Sequence, residues 1–187
     1  MLRFHGRTGH TLGLVTVFAL LAFGLTSSSR GQGLCGPVWT VDALTKLSPA
    51  MLDDVYRQGV AGCVPVGKVR GTALVSPGSP INPIASKVSR VFWQGKIFHD
   101  GGTSAVNRFV GVPIIAGQVY QGTSWLDGRP SLILDYEHTS KVYRKYRDEI
   151  RLVGPGLYLG LMHDRTTPDH RLKMYFAFET ERSSAFH

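Results

Sequence analysis

The densest grouping of side chains able to do chemistry is Arg147-Asp148-Glu149-Ile150-Arg151. In an extended strand successive side chains take opposite sides, so Arg147, Glu149 and Arg151 share one side while Asp148 and Ile150 take the other. Asp135 ends the apolar run Leu132-Ile133-Leu134 and is the other acid expected near a core. A guanidinium binds carboxylates and phosphates bidentately. An arginine facing Asp135 or Glu149 is therefore either a ligand clamp or one member of an ion-paired network that fixes strand register, because buried charges must be satisfied.

The histidines stand beside acids: His99 before Asp100, His138 after Glu137, His163 before Asp164 and His170 after Asp169. None has the spacing of a metal-ligand pair such as HxH or HExxH, and no metal site is expected. Three of the four fall at loop edges. His163 differs, because strand alternation puts it on the face of Leu159 and Leu161, where it could carry a proton. Gly122-Thr123-Ser124-Trp125-Leu126 lacks the second glycine of a nucleophile elbow and opens no helix. Gly154-Pro155-Gly156 joins strand to strand, so it is not a dinucleotide-binding turn. No signature specifies an enzyme or a cofactor.

Aromatic residues, among them Trp93, Trp125, Tyr136 and Tyr158, lie on or beside the expected strands. They either fill a core or line an apolar pocket that a few polar groups would orient.

The elements that must position these residues are mostly strands. One short N-terminal helix is marked by Ser48 as N-cap, Pro49 at its first position and Gly59 just past its end. Val41 to Leu47 adds a turn of helix before it. From Lys68 onward the patterning becomes β: Val69 to Val75, a polar loop from Ser76 to Pro83, a strand from Val88 to Phe98, a long run from Arg108 to Gln121 interrupted by Gly111, Pro113 and Gly117, and then Ser131 to Tyr136. Glu149 to Val153, Leu157 to His163 and Arg171 to Glu179 read as three consecutive antiparallel strands. Leu157, Leu159, Leu161 and His163 share one face, as do Leu172, Met174, Phe176 and Phe178. The fold class expected is mainly β, an antiparallel closed or nearly closed barrel with one short N-terminal helix. A sandwich or a helix-backed curved sheet is the alternative.

The first residues have the order of a secretory signal: Arg3 and Arg7, the apolar run Leu12 to Leu25, then Ser27, Ser28 and Ser29. That run is shorter than the roughly 20 residues of a membrane span, so residues 1–31 are expected to be removed and 32–187 to form a single domain with no span, periplasmic or extracellular. Losing Arg3, Arg7 and Arg30 lowers the formal net charge of +8 to +5. Such a moderate basic excess reads as a solvated face, and nucleic acid is not an expected partner. Cys35 and Cys63 are the two cysteines of the chain. In an oxidising compartment they are expected to pair, closing a loop at a gain of roughly 3 to 4 kcal/mol; two buried free thiols are the alternative.

Four blocks carry a family resemblance: Trp93-Gln94-Gly95-Lys96-Ile97-Phe98, Ser124-Trp125-Leu126-Asp127-Gly128, Leu134-Asp135-Tyr136, and Arg147 to Arg151 running on through Pro155-Gly156-Leu157-Tyr158-Leu159-Gly160. Over roughly Leu52 to Glu179 they resemble uncharacterised bacterial exported proteins built like the calycin, or lipocalin-like, barrels. The block order is also distantly similar to GXWXG-type domains of unknown function, with Val91 where that motif has its first glycine. The resemblance implies a barrel and no activity. Three functions are then open. One is a module binding a small apolar or amphipathic ligand, its polar end held by Arg147 or Arg151. Another is an isomerase or lyase using Asp135, Glu149 or His163. The third is an envelope-associated structural domain without ligand.

Overall fold

The computed structural model describes residues 38–99 and 101–180. Two helices come first, α1 (Val41–Leu44) and α2 (Pro49–Gln58), followed by β1 (Gly67–Leu74), α3 (Asn82–Phe92), β2 (Trp93–Phe98), β3 (Ser104–Phe109), β4 (Val112–Thr123), β5 (Pro130–Asp135), β6 (Tyr146–Gly154), β7 (Leu157–Asp164) and β8 (Leu172–Thr180). The eight strands form a closed antiparallel barrel in sequence order, β8 pairing back onto β1. The barrel expected from strand alternation is the one observed. Closure leaves no unpaired sheet edge. Antiparallel order also puts the β1–β2, β3–β4, β5–β6 and β7–β8 connections at one end of the barrel.

The chain buries two apolar layers. Inside the barrel lie Val69, Phe98, Leu132, Leu134, Ile150, Tyr158, Phe176 and Phe178. Outside it, α1 and α2 lay Leu44, Leu52, Val55 and Tyr56 over Leu157, Leu159, Leu161 and Ala177. The face shared by Leu157, Leu159 and Leu161 is thus the helix-covered outer face. Met174, Phe176 and Phe178 do share a face, the inner one, but Leu172 packs with the outer layer because the β7–β8 register shifts between Met162 and His163. Helix α2 begins as its sequence dictates, with the Ser48 side chain accepting from Met51 N and Pro49 in the first turn.

Two segments differ from the expectations. Val88 to Phe98 is not one strand: Asn82–Phe92 is α3, which also shortens the expected loop, and only Trp93–Phe98 is extended. This helix turns its polar side inward. Asn82 Nδ2 donates to Thr45 O at 2.6 Å, Ser86 Oγ to Asn82 Oδ1 at 3.0 Å, and Arg90 Nε to Thr72 Oγ1 at 2.7 Å. Its apolar residues face out, so their run of β-branched types read as a strand. Arg108 to Gln121 is a hairpin, not a run: Val110 and Gly111, both at positive φ, form a two-residue turn between Phe109 and Val112. The turn of helix expected within Val41 to Leu47 is α1, and α3 joins the expected α2 as a further helix. Cys63 is exposed, while Cys35 and the signal segment lie outside the described residues.

Candidate functional site

Residues at the α3 end of the barrel line an interior cavity of about 260 Å³, with walls from Trp93, Phe109, Tyr143, Met162, Met174 and Phe176. Four polar side chains from four strands join that wall: Lys96 of β2, Asn107 of β3, Tyr136 just past β5, and Asp148 of β6. Strict alternation would set Trp93 and Lys96 on opposite faces. A bulge between them, with Gly95 at φ 110°, turns both inward. Glycine is required there, since a Cβ would lie 2.1 Å from Val69 O. A second bulge in the β3–β4 pairing, at Ile115, leaves the Ile115 carbonyl free to accept from Asn107 Nδ2 at 3.3 Å.

The four polar groups form one network. Lys96 Nζ donates to Asp148 Oδ2 at 2.9 Å, Asn107 Oδ1 at 2.9 Å and Tyr136 Oη at 3.1 Å. Tyr136 donates to the same Asp148 Oδ2 at 2.8 Å and accepts from Asn107 Nδ2 at 2.9 Å. Trp93 Nε1 donates to Asn107 Oδ1 at 3.0 Å. All three ammonium protons, the phenol proton and both amide protons are thereby used. Asp148 Oδ1 is the buried atom of the network left without a partner. Lys96 is also ringed by Phe176, Trp93 and Tyr136 at 5.1, 5.4 and 5.8 Å from its Nζ. Burial pulls the Lys96 pKa down, against the Asp148 charge that raises it. Burial, aided by that same charge, pushes the Tyr136 phenol well above its ordinary range.

The expected site residues divide among different places. Trp93 and Tyr136 line the cavity. Tyr158 is inside the barrel, stacked on Phe178 and donating to Cys63 O at 2.9 Å. Arg147, Glu149, His163 and Trp125 come together on the outer side of the wall. Arg147 donates to Glu149 Oε1 at 2.7 Å and to Thr123 O at 2.8 Å, and its guanidinium lies 4.1 Å from the centre of the Trp125 ring. Glu149 is fully buried and also accepts from Ser124 Oγ and, at 2.8 Å, from Trp125 N. His163 Nε2 is 3.7 Å from Glu149 Oε2.

Arg151 forks onto both oxygens of Asp127 at 2.7 Å and donates to the carbonyls of Tyr56, Arg129 and Pro130, binding β6 to α2 and to the β4–β5 turn. That fork holds the Asp127 carboxyl below its usual range. Asp135 stands opposite Arg147 in the β5–β6 pairing, but its carboxylate pairs with Arg165 and accepts from Tyr120 Oη at 3.0 Å, while Arg147 pairs with Glu149 and Arg151 with Asp127. None of Arg147, Glu149, Arg151, Asp135 and His163 lines the interior cavity. Among the described residues no three His, Cys, Asp or Glu side chains are placed to share a metal ion.

Sequence reading missed Lys96, Asn107 and Asp148 as a group. The usable signal was Gly95, an isolated glycine in an apolar strand directly before the only lysine of that strand, which marks a bulge able to turn Lys96 inward.

No family model matches the chain, and no curated protein matches it either. A solved structure described as the crystal structure of a protein from Thermomonospora curvata superposes with a TM-score of 0.49 at 20% identity, covering 73% of this chain and 90% of that one.

Proposed function

We propose that the barrel binds a small, mostly apolar, uncharged molecule whose polar end is a hydrogen-bond donor such as a hydroxyl. The observation that carries this reading is the unpartnered Asp148 Oδ1 in a network otherwise closed on itself. A buried acceptor without a partner is costly. Asp148 belongs to the wall of an apolar cavity, and a turn about its soft terminal torsion presents Oδ1 to the occupant. Charge argues the same way. Lys96 and Asp148 neutralise each other, so an anionic ligand would find its ammonium already taken. Arg147 and Arg151 do not enter this role; they tie the outer wall together.

Trp93 supplies the test, because it lines the cavity. Titration with 2-naphthol should quench tryptophan emission more tightly than naphthalene or 2-naphthoate, and Asp148→Asn should remove the preference for naphthol. Tightest binding of the carboxylate, or no uptake of any of the three, would refute the reading. A second reading, an isomerase or lyase, draws support from one fact: a carboxylate and an ammonium of lowered pKa share the cavity wall. Slow conversion of a bound hydroxy compound, lost in Asp148→Asn, would favour it. We also read the protein as exported with Cys35 and Cys63 paired; alkylation without reductant followed by mass measurement tests the pairing.

A further inference from the structure

The barrel end that carries the cavity also carries a run of exposed apolar side chains. Ile84, Val88, Val91 and Phe92 of α3 are each more than half exposed, as are Val110 and Val112 of the β3–β4 hairpin. The two groups are continuous, because Val110 N donates to Phe92 O at 2.9 Å. In α3 the residues at positions 84, 88 and 91 repeat at helical spacing, so the helix is amphipathic with its apolar face outward. Asn82 and Ser89 bond the polar face of the helix to Thr45 and Ala73, which leaves its apolar face without a partner among the described residues.

The hairpin tip adds a separate observation. Val110 sits at φ 47°, a conformation that a β-branched residue adopts only under strain and that asparagine, aspartate or glycine would take readily in this type of turn. The side chain of this strained valine, with the residue 67% exposed, adds little packing to the fold.

Charge selects among the possible occupants. Lys87 flanks the apolar face of α3, whereas Arg90 is turned inward onto Thr72, and Lys141, Arg144 and Lys145 lie in the β5–β6 connection at the same end. From Val55 to His99 the chain contains no acid at all, and the connections at this end hold Glu137, engaged by Arg165, and Asp169 against Lys87, Lys141, Arg144, Lys145 and Arg171. A two-fold dimer through this face would set Lys87 and the bases of the β5–β6 connection against their own copies. An anionic lipid surface matches both the apolar and the basic part.

We propose that the α3 end docks on anionic membranes, with Val88, Val91 and Val110 entering the acyl boundary and the cavity facing the lipid. The cavity walls Trp93 and Phe109 directly follow and precede these segments, so a membrane-dissolved molecule would reach the barrel without crossing water.

The test is co-sedimentation of the protein with phosphatidylcholine vesicles, with and without phosphatidylglycerol, comparing the parent with Val88→Asp and Val110→Gly/Val112→Asp. Since parent and variants share every other residue, a contribution from elsewhere in the chain cancels. Anionic vesicles should bind the parent at least about tenfold more than either variant, and added salt should weaken that binding. 2-Naphthol uptake in solution should be unchanged in both variants, which separates this inference from the ligand reading. Equal sedimentation of parent and variants, or a parent that ignores phosphatidylglycerol, would overturn it. So would self-association through this face, seen as concentration-dependent size that Val88→Asp abolishes without any effect on vesicles.

Discussion

Lys96 Nζ lies 2.9 Å from Asp148 Oδ2 across the barrel interior, joining residues 52 positions apart in the chain. Both side chains are almost fully buried. Taking two such charges out of water is expensive, and their attraction offsets that cost only while both are present.

Removing one partner should therefore cost far more than removing both. Lys96→Met is expected to lose about 3 to 5 kcal/mol, and Lys96→Met/Asp148→Leu to recover most of that loss. Urea unfolding of the two variants checks this. A double variant as unstable as the sum of the singles would show that the pair is not the unit.

On the other side of the same strand, Arg147 partners a Glu149 carboxylate that no solvent reaches. Arg147→Ala should cost about 3 to 5 kcal/mol by urea titration, against under about 1 kcal/mol for an exposed arginine. It should also loosen Trp125, which loses the guanidinium against its ring, and tryptophan emission should move to the red.

Alkali should unfold the protein through its buried phenols. Burial raises the Tyr56 pKa to about 12, whereas the same phenol in an unfolded chain titrates near 10. Above pH 10 the unfolded state therefore holds fewer protons than the folded state, and stability falls as pH rises. Tyr56 alone accounts for about 2 to 3 kcal/mol by pH 12, with Tyr136 shifted in the same direction. Absorbance near the phenolate band should show part of the tyrosines ionising only together with loss of structure. Independent titration of every tyrosine near pH 10 in folded protein would contradict this.

The sequence made the barrel legible where alternation was strict. Tyr158 to His163 and Arg147 to Leu152 hold one register across β6 and β7, so their strands and the division of Arg147, Glu149 and Arg151 from Asp148 and Ile150 could be read directly. Alternation does not say which face is the inside. Leu159 and Leu161 are as apolar as any interior residue, yet they pack under helices on the outside. Helix α3 was opaque for a different reason: its buried face is serine and asparagine, which inverts the pattern on which helix recognition depends. The polar network escaped notice because a bulge, not a run of matching residues, brings Lys96 to Asp148.

Strand β6 carries charge on both faces, Asp148 toward Lys96 and Arg147, Glu149 and Arg151 toward the outer wall. A slip of one residue would exchange the faces, leaving three charges inside the apolar barrel and Asp148 under the helices. Every slip by an odd number of residues at this strand is thus penalised by several stranded charges at once, whereas an all-leucine strand would tolerate such an error. Assembly at β6 is expected to be all-or-none, with its amides exchanging hydrogen only when the whole barrel opens.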